Sequence, residues 1–213
     1  TVAPMLGDIN WNQDAPYNNA CPLVQGSRSM TGCVATAMAM ILKYHNFPVK
    51  GKGTHSYKTS SGLECSFDYG STTFSWNEMR SQYVGGNYTT EEANAVAELM
   101  HACGVAVDME YSPSSSGAYS FKVGQALIDY FGYDENLGYV CRQYFTSEEW
   151  MNMIKTELSE RRPVLYNGAS KDVGHEFVFD GYDSQDMVHV NWGWGGLNNG
   201  YFEVVSLDPS SPG

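Results

Sequence analysis

The segment that most constrains the fold is the longest apolar helical run in the chain, residues 33–45 (CVATAMAMILKYH). Its alanines favour helix, and Val34, Met38 and Ile41 recur at the spacing of one helix face. Such a broad apolar face has to pack against other elements, which predicts a central helix. Cys33, preceded by a glycine, stands in the first turn of this helix.

Helical patterns come first along the chain and strand patterns come last. Two Thr-x-x-Glu capping boxes predict helices at about 89–103, where Gly104 is a natural stop, and at about 146–161. Another helix is predicted at about 119–131, and residues 50–88 are predicted as loop with short elements. The later segments PVLYNGA, EFVFDGY, DMVHVNW and GYFEVVS are typical of short strands. This order predicts an α+β fold with two lobes or layers and a cleft between them.

Charge and hydropathy exclude two classes of partner. The 213 residues are enough for one or two compact domains, and they carry a net charge of −12 with no basic run. We therefore expect neither nucleic acid nor anionic membrane as a partner. No apolar stretch has the length of a membrane span. The chain begins with Thr1 and shows no signal peptide, so we expect a mature or trimmed chain.

The cysteines favour one reactive thiol rather than a disulfide framework or a metal site. Their number is odd, and no CxxC pair occurs, so neither a zinc ribbon nor a thioredoxin-type motif is predicted. We expect no metal and no cofactor. Each bystander is expected to be a small buried apolar residue. The five positions are Cys21, Cys33, Cys65, Cys103 and Cys141.

The position of Cys33 favours a nucleophile. The N-terminus of a helix carries free N–H groups and a partial positive charge, both of which favour a thiolate over a thiol. The thiolate is the reactive form of cysteine. A lone cysteine at a helix start is nevertheless more often structural, so a catalytic interpretation requires a base and an oxyanion donor as well.

Four of the five histidines are poor candidates for the base. His45 lies twelve residues after Cys33 on the same helix, which puts it about 18 Å away and too far for proton transfer. His55, in a Gly-rich loop, and His101, near a helix end, are predicted at the surface. The alternation of its strand predicts that His189 faces away from the core.

His175 is the strongest candidate, because it follows Gly174 at the start of a predicted strand and can face a cleft. A hairpin around residues 184–185 would shield its imidazole from water with aromatic rings. The residues predicted to share that face are His175, Phe177, Phe179, Val190, Trp192 and Trp194.

These motifs together resemble a known family. GCVATAMAMILKYHNFP, VGHEFVFDGYD and HVNWGWGG occur in order, with WNQDAPYN near the start, LMHACGVAVDMEYSPSSSGA in the middle and GYFEVVSLDPSSPG at the end. Over nearly its whole length the chain resembles the streptopain-like cysteine peptidase family of the papain-like clan. Within that family, the interpain A type of oral anaerobes is the candidate for a closer match.

The resemblance implies one papain-like peptidase domain with two lobes. A lobe of helices and loops, about residues 1–110, would contain the central helix that starts at the nucleophile. A lobe with an antiparallel sheet or barrel would span about residues 111–213, and the active-site cleft would lie between the two. The family continues past SLDPSSPG with a Gly-rich loop and a last strand, whereas this sequence stops at Gly213. We expect a missing loop there to affect substrate binding more than the nucleophile.

The resemblance also implies roles for individual residues. Cys33 matches the nucleophile and His175 the general base, which also protonates the leaving amine. Gln13 matches the side chain that joins the Cys33 backbone N–H in the oxyanion hole. The positions expected to contact the substrate are Ser116, Gly117, Gly174 and Trp194.

The group that orients His175 is open between two neighbours. Papain-like enzymes place an asparagine and then a tryptophan on the returning strand, and an ungapped hairpin puts Asn191 at the asparagine position. The alternation of Val188, Val190 and Trp192 argues instead that Asn191 faces the other way, unless a bulge or a slip intervenes. We predict that Trp192 lies against His175 and that Asn191 is supportive, which makes the site a Cys–His dyad more than a strict triad.

The function implied is that of a secreted bacterial cysteine endopeptidase, made as a precursor with an inhibitory N-terminal propeptide. Its substrates would be proteins and peptides with a hydrophobic side chain at the second residue before the cut. Two alternatives use the same residues differently. One is another acyl-transfer enzyme, such as an amidase or a transglutaminase, and the other is an inactive binding module.

Overall fold

The computed structural model describes residues 1–169 and 174–206. The helices within these ranges are α1 Cys33–His45, α2 Thr90–Ala106, α3 Val123–Phe131 and α4 Ser147–Ser159. The strands are β1 Leu23–Val24, β2 Ser27–Arg28, β3 Thr54–Lys58, β4 Glu64–Asp68, β5 Val164–Ala169, β6 Gly174–Tyr182, β7 Val188–Asn191 and β8 Gly200–Phe202. None of the helices in these two ranges is long and apolar enough to cross a membrane.

The four late strands predicted from the sequence are confirmed, although the short strands β1 to β4 precede α2. Strands β5, β6, β7 and β8 form one antiparallel sheet in that order, and β3 pairs with β4 in a separate hairpin. The sheets of the described residues do not close into a barrel. The last predicted strand is shorter than its sequence pattern, because Val204–Ser206 forms a 3-10 turn. Residues 207–213, the end of the matching segment GYFEVVSLDPSSPG, lie outside the described residues.

Both predicted capping boxes are present. Thr89 Oγ1 accepts a hydrogen bond from Glu92 N at 3.1 Å, and Thr89 N donates to Glu92 Oε1 at 2.8 Å. Thr146 and Glu149 make the same reciprocal pair at the start of α4. Each box satisfies two N–H groups that the helix leaves without an internal partner, which explains why these helices begin where the sequence predicts.

The prediction that Gly104 ends α2 is wrong. The helix continues to Ala106, and its backbone at Gly104 packs against the ring of Tyr111. A Cβ at this position would overlap the Tyr111 hydroxyl group. The glycine is therefore used for close packing of two elements rather than for a left-handed stop.

Helix α1 is the central helix of the molecule. Every residue from Val34 to Leu42 is buried, so the helix is enclosed on all sides rather than along one face. It packs against α2 and against β6 and β5 of the large sheet. The small alanines of α1 let these neighbours approach closely, which explains the composition of the run.

Two hydrophobic clusters lie on either side of the sheet. The first contains α1 and α2 with residues from the N-terminal segment and α3, and Val178 of β6 joins it. The second contains α4 and the aromatic face of the sheet, including Phe177, Phe179 and Trp192. The predicted division into lobes near residue 110 stays a prediction, and α3, which follows that point, packs in the first cluster.

Candidate active site

Cys33 begins α1 at a backbone turn that requires glycine. Gly32 has a φ of 87°, in the region that residues with a side chain rarely adopt. A Cβ on Gly32 would overlap the thioether of Met109 and crowd the carbonyl oxygen of Ser116. The chain therefore enters the helix tightly, with the half-buried side chain of Cys33 in the first turn.

Three backbone N–H groups lower the pKa of the Cys33 thiol. Burial raises the pKa of the Cys33 thiol, and the N–H groups of Glu176, Val34 and Cys33 itself oppose that rise by hydrogen bonding to the thiolate. The contact with Glu176 means that the peptide group joining His175 to Glu176 lies against the sulfur. The two candidate catalytic residues, on α1 and β6, are thereby neighbours in the fold.

The imidazole of His175 is held in one tautomer by a backbone carbonyl. Its Nε2 lies 2.9 Å from the carbonyl oxygen of Trp192. Because a carbonyl oxygen can only accept, Nε2 carries the hydrogen, and Nδ1 keeps a lone pair. Burial lowers the pKa of His175, against the opposing effect of the Trp192 carbonyl. The neutral ring, which is the form that accepts a proton, is therefore favoured near neutral pH.

Aromatic rings surround this imidazole. Trp194 stacks on it with ring centroids 4.8 Å apart, and Trp192 stacks at 6.2 Å. Phe177, two residues along β6, lies at 5.9 Å. The strand face predicted from the sequence alternation is confirmed. These rings keep water from the imidazole and fix its plane.

Trp192, whose carbonyl orients His175, is held in place through both its backbone N–H and its indole N–H. The backbone N–H of Trp192 donates to Asn199 Oδ1 at 3.1 Å, and its indole N–H donates to the carbonyl oxygen of Asn198 at 3.0 Å. Asn199 also donates to Asn10 Oδ1 at 3.2 Å, which fastens the turn to the N-terminal segment. A backbone atom can therefore serve as the orienting group.

The side chain of Asn191 is used elsewhere. Its Nδ2 donates to the carbonyl oxygen of Ile9 at 2.9 Å, and its Oδ1 accepts from Gly193 N at 3.1 Å. The β6–β7 hairpin contains a bulge, the feature considered above for the position of Asn191. The bulge lies between Phe179 and Gly181, and in the resulting register Asn191 pairs with Val178. Asn191 thus supports the turn after β7, and Trp192 lies against His175.

Gln13 lies beside the chain that leads into α1. Its carbonyl oxygen accepts from Thr31 N at 3.1 Å, two residues before Cys33. Its own N–H donates to Asn12 Oδ1 at 2.9 Å, and its side chain is half-buried. The oxyanion role of Gln13 stays a prediction, with its backbone fixed next to the nucleophile.

The middle loop, residues 112–117, is hydrogen-bonded to the segment that leads into α1. The Ser116 hydroxyl donates to the carbonyl oxygen of Met30 at 2.8 Å and accepts from Ser112 N at 2.9 Å. With this hydroxyl buried and occupied, substrate contact by Ser116 would have to come from its backbone, whereas Gly117 is exposed. Gly117 exchanges two backbone hydrogen bonds with Glu110.

The two remaining predicted contacts lie on either side of His175. Gly174 is exposed at the beginning of β6, where it pairs with the last residue of β5. Trp194 is half-buried, with one ring face on the imidazole. Their roles in binding substrate stay predictions.

The other histidines have structural partners, and two predictions about them are wrong. His55 lies on β3 rather than in a loop, with Nε2 2.6 Å from Asp108 Oδ1. His101 is half-buried rather than exposed, since it packs edge-on against Phe67, and burial lowers its pKa. His189 faces away from the aromatic face, as predicted, and its Nδ1 lies 2.7 Å from Asp180 Oδ1.

Sequence reasoning missed two features of the site. The carbonyl oxygen of Trp192 has no sequence signal, because every residue has one. Glu176 had a signal: it is a charged residue inside the apolar strand GHEFVF, next to the candidate base. A carboxyl group in such a strand is either paired or functional.

Comparison with known proteins identifies relatives over nearly the whole chain. The model of the Peptidase C10 family matches residues 11–202. Streptopain of Streptococcus pyogenes is 39% identical over 223 residues, which cover 96% of this chain and 56% of streptopain. The thiol protease/hemagglutinin PrtT of Porphyromonas gingivalis is 38% identical over 224 residues, which cover 100% of this chain and 26% of PrtT. The chain thus spans little more than half of streptopain.

Solved structures agree with the fold. Active wild-type interpain A, a cysteine protease of Prevotella intermedia, superposes with a TM-score of 0.92 at 41% identity, covering 98% of this chain and 88% of that chain. A mutant fragment of prointerpain A from the same organism gives a TM-score of 0.88 at 42% identity, covering 95% and 65%. The predicted fold and the predicted resemblance are confirmed.

Proposed function

The chain belongs to the peptidase C10 family, and from that premise we propose that it is a cysteine endopeptidase that hydrolyses peptide bonds in proteins. The observation that carries the proposal is the arrangement of Cys33 and His175. The cysteine starts a buried helix, and the histidine, whose backbone lies against the sulfur, has its Nε2–H held by the Trp192 carbonyl. Nδ1 is left as the atom that takes the thiol proton.

Acylation begins when His175 Nδ1 accepts the Cys33 proton. The thiolate attacks the peptide carbonyl carbon, and the electron pair of the carbonyl moves onto its oxygen. Collapse of this intermediate breaks the C–N bond, and the imidazolium donates its proton to the leaving amine. The product is an acyl-enzyme on Cys33 with a neutral His175.

Deacylation repeats the sequence with water. His175 Nδ1 removes a proton from the water, the hydroxide attacks the thioester, and the carboxylic acid leaves as Cys33 recovers its thiol proton. Every group in this scheme belongs to the chain or to the solvent, so no step is assigned to a cofactor.

The oxyanion is stabilised by the Cys33 backbone N–H and the Gln13 side-chain amide. The first is supported by the helix start, where N–H groups have no internal partner. The second is supported by the hydrogen bond between Gln13 and Thr31, which fixes residue 13 beside the nucleophile. One such donor contributes about 2.7–4 kcal/mol to transition-state stabilisation.

The same proposal extends to substrates and processing. We expect extended protein substrates with an apolar side chain at the second residue before the cut. We also expect secretion of a precursor whose N-terminal propeptide inhibits the enzyme. Support for a precursor comes from prointerpain A, the pro-form of a relative with the same fold. If the longer precursor cleaved casein as fast as this chain, the inhibitory propeptide would be ruled out.

The experiment is intact mass after treatment with an epoxide inhibitor of papain-like enzymes, with casein cleavage measured in parallel under reducing conditions. The variants are Cys33→Ala and, as a matched control, Cys141→Ala, which removes the other half-buried thiol. We expect one adduct and full cleavage in the wild type and in Cys141→Ala, and neither in Cys33→Ala.

Other results would contradict the proposal. Labelling of Cys33 without cleavage, but with transfer of the acyl group to an added amine, would identify an amidase or transglutaminase-like enzyme. The absence of any labelling at Cys33 would identify a binding module with a structural cysteine.

A further inference from the structure

One carboxyl group that this mechanism does not use lies beside the nucleophile. Glu176 follows His175 on β6, so its side chain points to the opposite face of the strand, toward α1. The residue is only 2% exposed. Its Oε2 accepts a hydrogen bond from Asn167 Nδ2, directly across on β5, at 2.8 Å.

Among the described residues, this carboxyl lies near Cys33 and forms no ion pair with a cation. The backbone N–H of Glu176 lowers the pKa of the Cys33 thiol, and the negative charge of its carboxyl raises that pKa. In residues 1–169 and 174–206, no lysine, arginine or histidine forms an ion pair with Glu176. A buried carboxylate without a cation is costly, which marks the position as a candidate for function.

Few groups face the carboxyl from the elements packed against it. Of the described residues, Asn167 from β5 and Cys33 from α1 interact with it. His175 lies on the other face of the strand, and β7 pairs with β6 only from Val178 onward. Burial raises the pKa of Glu176 to about 7, and the Asn167 amide opposes that rise.

Asp180 on the same strand shows the difference that a partner makes. It is 1% exposed, as buried as Glu176. Its two carboxylate oxygens bind His189 Nδ1 at 2.7 Å and Leu6 N at 3.1 Å. The charge of Asp180 is therefore satisfied inside the fold, whereas among the described residues the side-chain partner of the Glu176 carboxyl is a neutral amide.

The Cys33 thiolate and the Glu176 carboxylate repel each other in the buried space between α1 and β6. Each charge disfavours the other, so the two protons are coupled. We propose that Glu176 acts on the reaction through Cys33, as a positioning residue whose carboxyl has to be protonated for the Cys33 thiolate to reach its full population. The inference deepens the proposed function, since it takes Cys33 as the nucleophile.

The test measures the rate at which iodoacetamide alkylates Cys33 from about pH 5 to about pH 9, around the range in which histidine and the carboxyl titrate. The adduct is located by peptide mass, because four other thiols are present. The variant is Glu176→Gln, which keeps an oxygen for the Asn167 amide. The control, Asp186→Asn, removes the same charge at an exposed turn with positive φ, where Asn is tolerated.

We expect wild type and Glu176→Gln to react equally at about pH 5.5, where the carboxyl is protonated. Above about pH 7 the variant should react faster, by about tenfold if the two protons are coupled by one pKa unit. Asp186→Asn should follow the wild type throughout. A profile that superposes on the wild type at every pH would overturn the inference, and so would a change by the same factor at every pH.

A second variant keeps the test independent of how Glu176→Gln folds. Asn167 is exposed, and its amide favours the charged carboxylate. Asn167→Ala should therefore raise the pKa of Glu176 and accelerate alkylation near neutral pH only, with rates returning to the wild-type value at higher pH. No acceleration near neutral pH would contradict the inference.

Alkylation does not require peptide hydrolysis, so the two proposals can fail separately. If Cys33 of Glu176→Gln were alkylated faster in a pH-dependent way but the wild type did not cleave casein, the endopeptidase proposal would be contradicted. The coupling between Glu176 and Cys33 would still be supported. If the wild type cleaved casein but the alkylation profiles of wild type and Glu176→Gln superposed, the coupling would be contradicted and the endopeptidase proposal would be supported.

Discussion

Each end of strand β6 has a buried carboxyl group with a histidine nearby, on β6 itself at one end and on the neighbouring β7 at the other, and the two pairs are used differently. At the far end Asp180 and His189 bind each other at 2.7 Å, and Asp180 also fastens Leu6. At the near end His175 and Glu176 lie on opposite faces, and each has a neutral partner, the Trp192 carbonyl and the Asn167 amide. A paired set stabilises the fold, whereas in the proposed account the separated set acts on a third group, Cys33.

The largest expected effect separates the two histidines. His175→Ala should lower kcat/KM by about 10⁴-fold, because the base is lost, with an unchanged melting temperature. His189→Ala should leave kcat/KM within about threefold and cost about 2 kcal/mol of unfolding free energy, because Asp180 loses a charge-assisted hydrogen bond. Hydrolysis assays and thermal melts of both variants check this. The comparison fails if His189→Ala abolishes activity in a folded protein.

The next effect concerns the oxyanion. Gln13→Ala should reduce kcat by about 10²–10³-fold with little change in KM, since the donor acts only where the negative charge develops. Gln13→Glu serves as a matched control, because it keeps the size but places a charge against the oxyanion. If KM rises while kcat holds in Gln13→Ala, the residue binds substrate instead.

The buried carboxyl group of Glu176 should also affect the stability of the protein. The pKa of Glu176 rises from its ordinary 4.5 to about 7 on folding, so between these values the folded state binds more protons, and stability falls as the pH rises. At about 1.4 kcal/mol per pH unit, the loss approaches about 3 kcal/mol above pH 7. Glu176→Gln should therefore be more stable than the wild type at about pH 8 and not at about pH 4.

Chemical unfolding at both pH values measures that difference. Asp180→Asn is the counterpart at the other end of the strand, and it should be less stable than the wild type at about pH 8 because it breaks a satisfied pair. If Glu176→Gln and Asp180→Asn were stabilised equally relative to the wild type at about pH 8, the two buried carboxyl groups of β6 would have the same effect on stability.

The smallest expected effect tests the backbone partner of His175. Asn199→Ala removes the side chain that accepts from Trp192 N, so the carbonyl that orients the imidazole is held less firmly. We expect kcat/KM to fall by about tenfold, through misorientation of the base. The exposed Asn198 receives the indole N–H with its carbonyl, so Asn198→Ala should have a weaker effect. A larger loss in Asn198→Ala would contradict this order.

The parts of the fold that the sequence predicts are those with local causes. Capping boxes and apolar periodicity place α1, α2 and α4, since these signals lie within a few residues of the element they define. The prediction fails at Gly104, where contact with Tyr111, not the local sequence, decides the backbone. The sequence also does not predict that α1 is enclosed on all sides, because that burial depends on packing against the distant strands β5 and β6.

The candidate site divides in the same way. Cys33 and His175 are predictable because a helix start and a strand start beside glycine each leave a signal. The orienting carbonyl of Trp192 is not, since residue type does not specify which backbone atom meets the ring. Alternation along the strand correctly argues that Asn191 faces away, and only the structure shows that it binds Ile9.

The central claim is that Cys33 carries the acyl group and that His175 activates the water that hydrolyses it. The most direct measurement is rapid-quench mass spectrometry of wild type and His175→Ala during the first turnover of an activated peptide ester. We predict a transient acyl adduct that maps to Cys33 in the wild type and a slower, persistent one in His175→Ala. Hydrolysis of the ester without an adduct on Cys33, or with the adduct on another residue, would contradict the account.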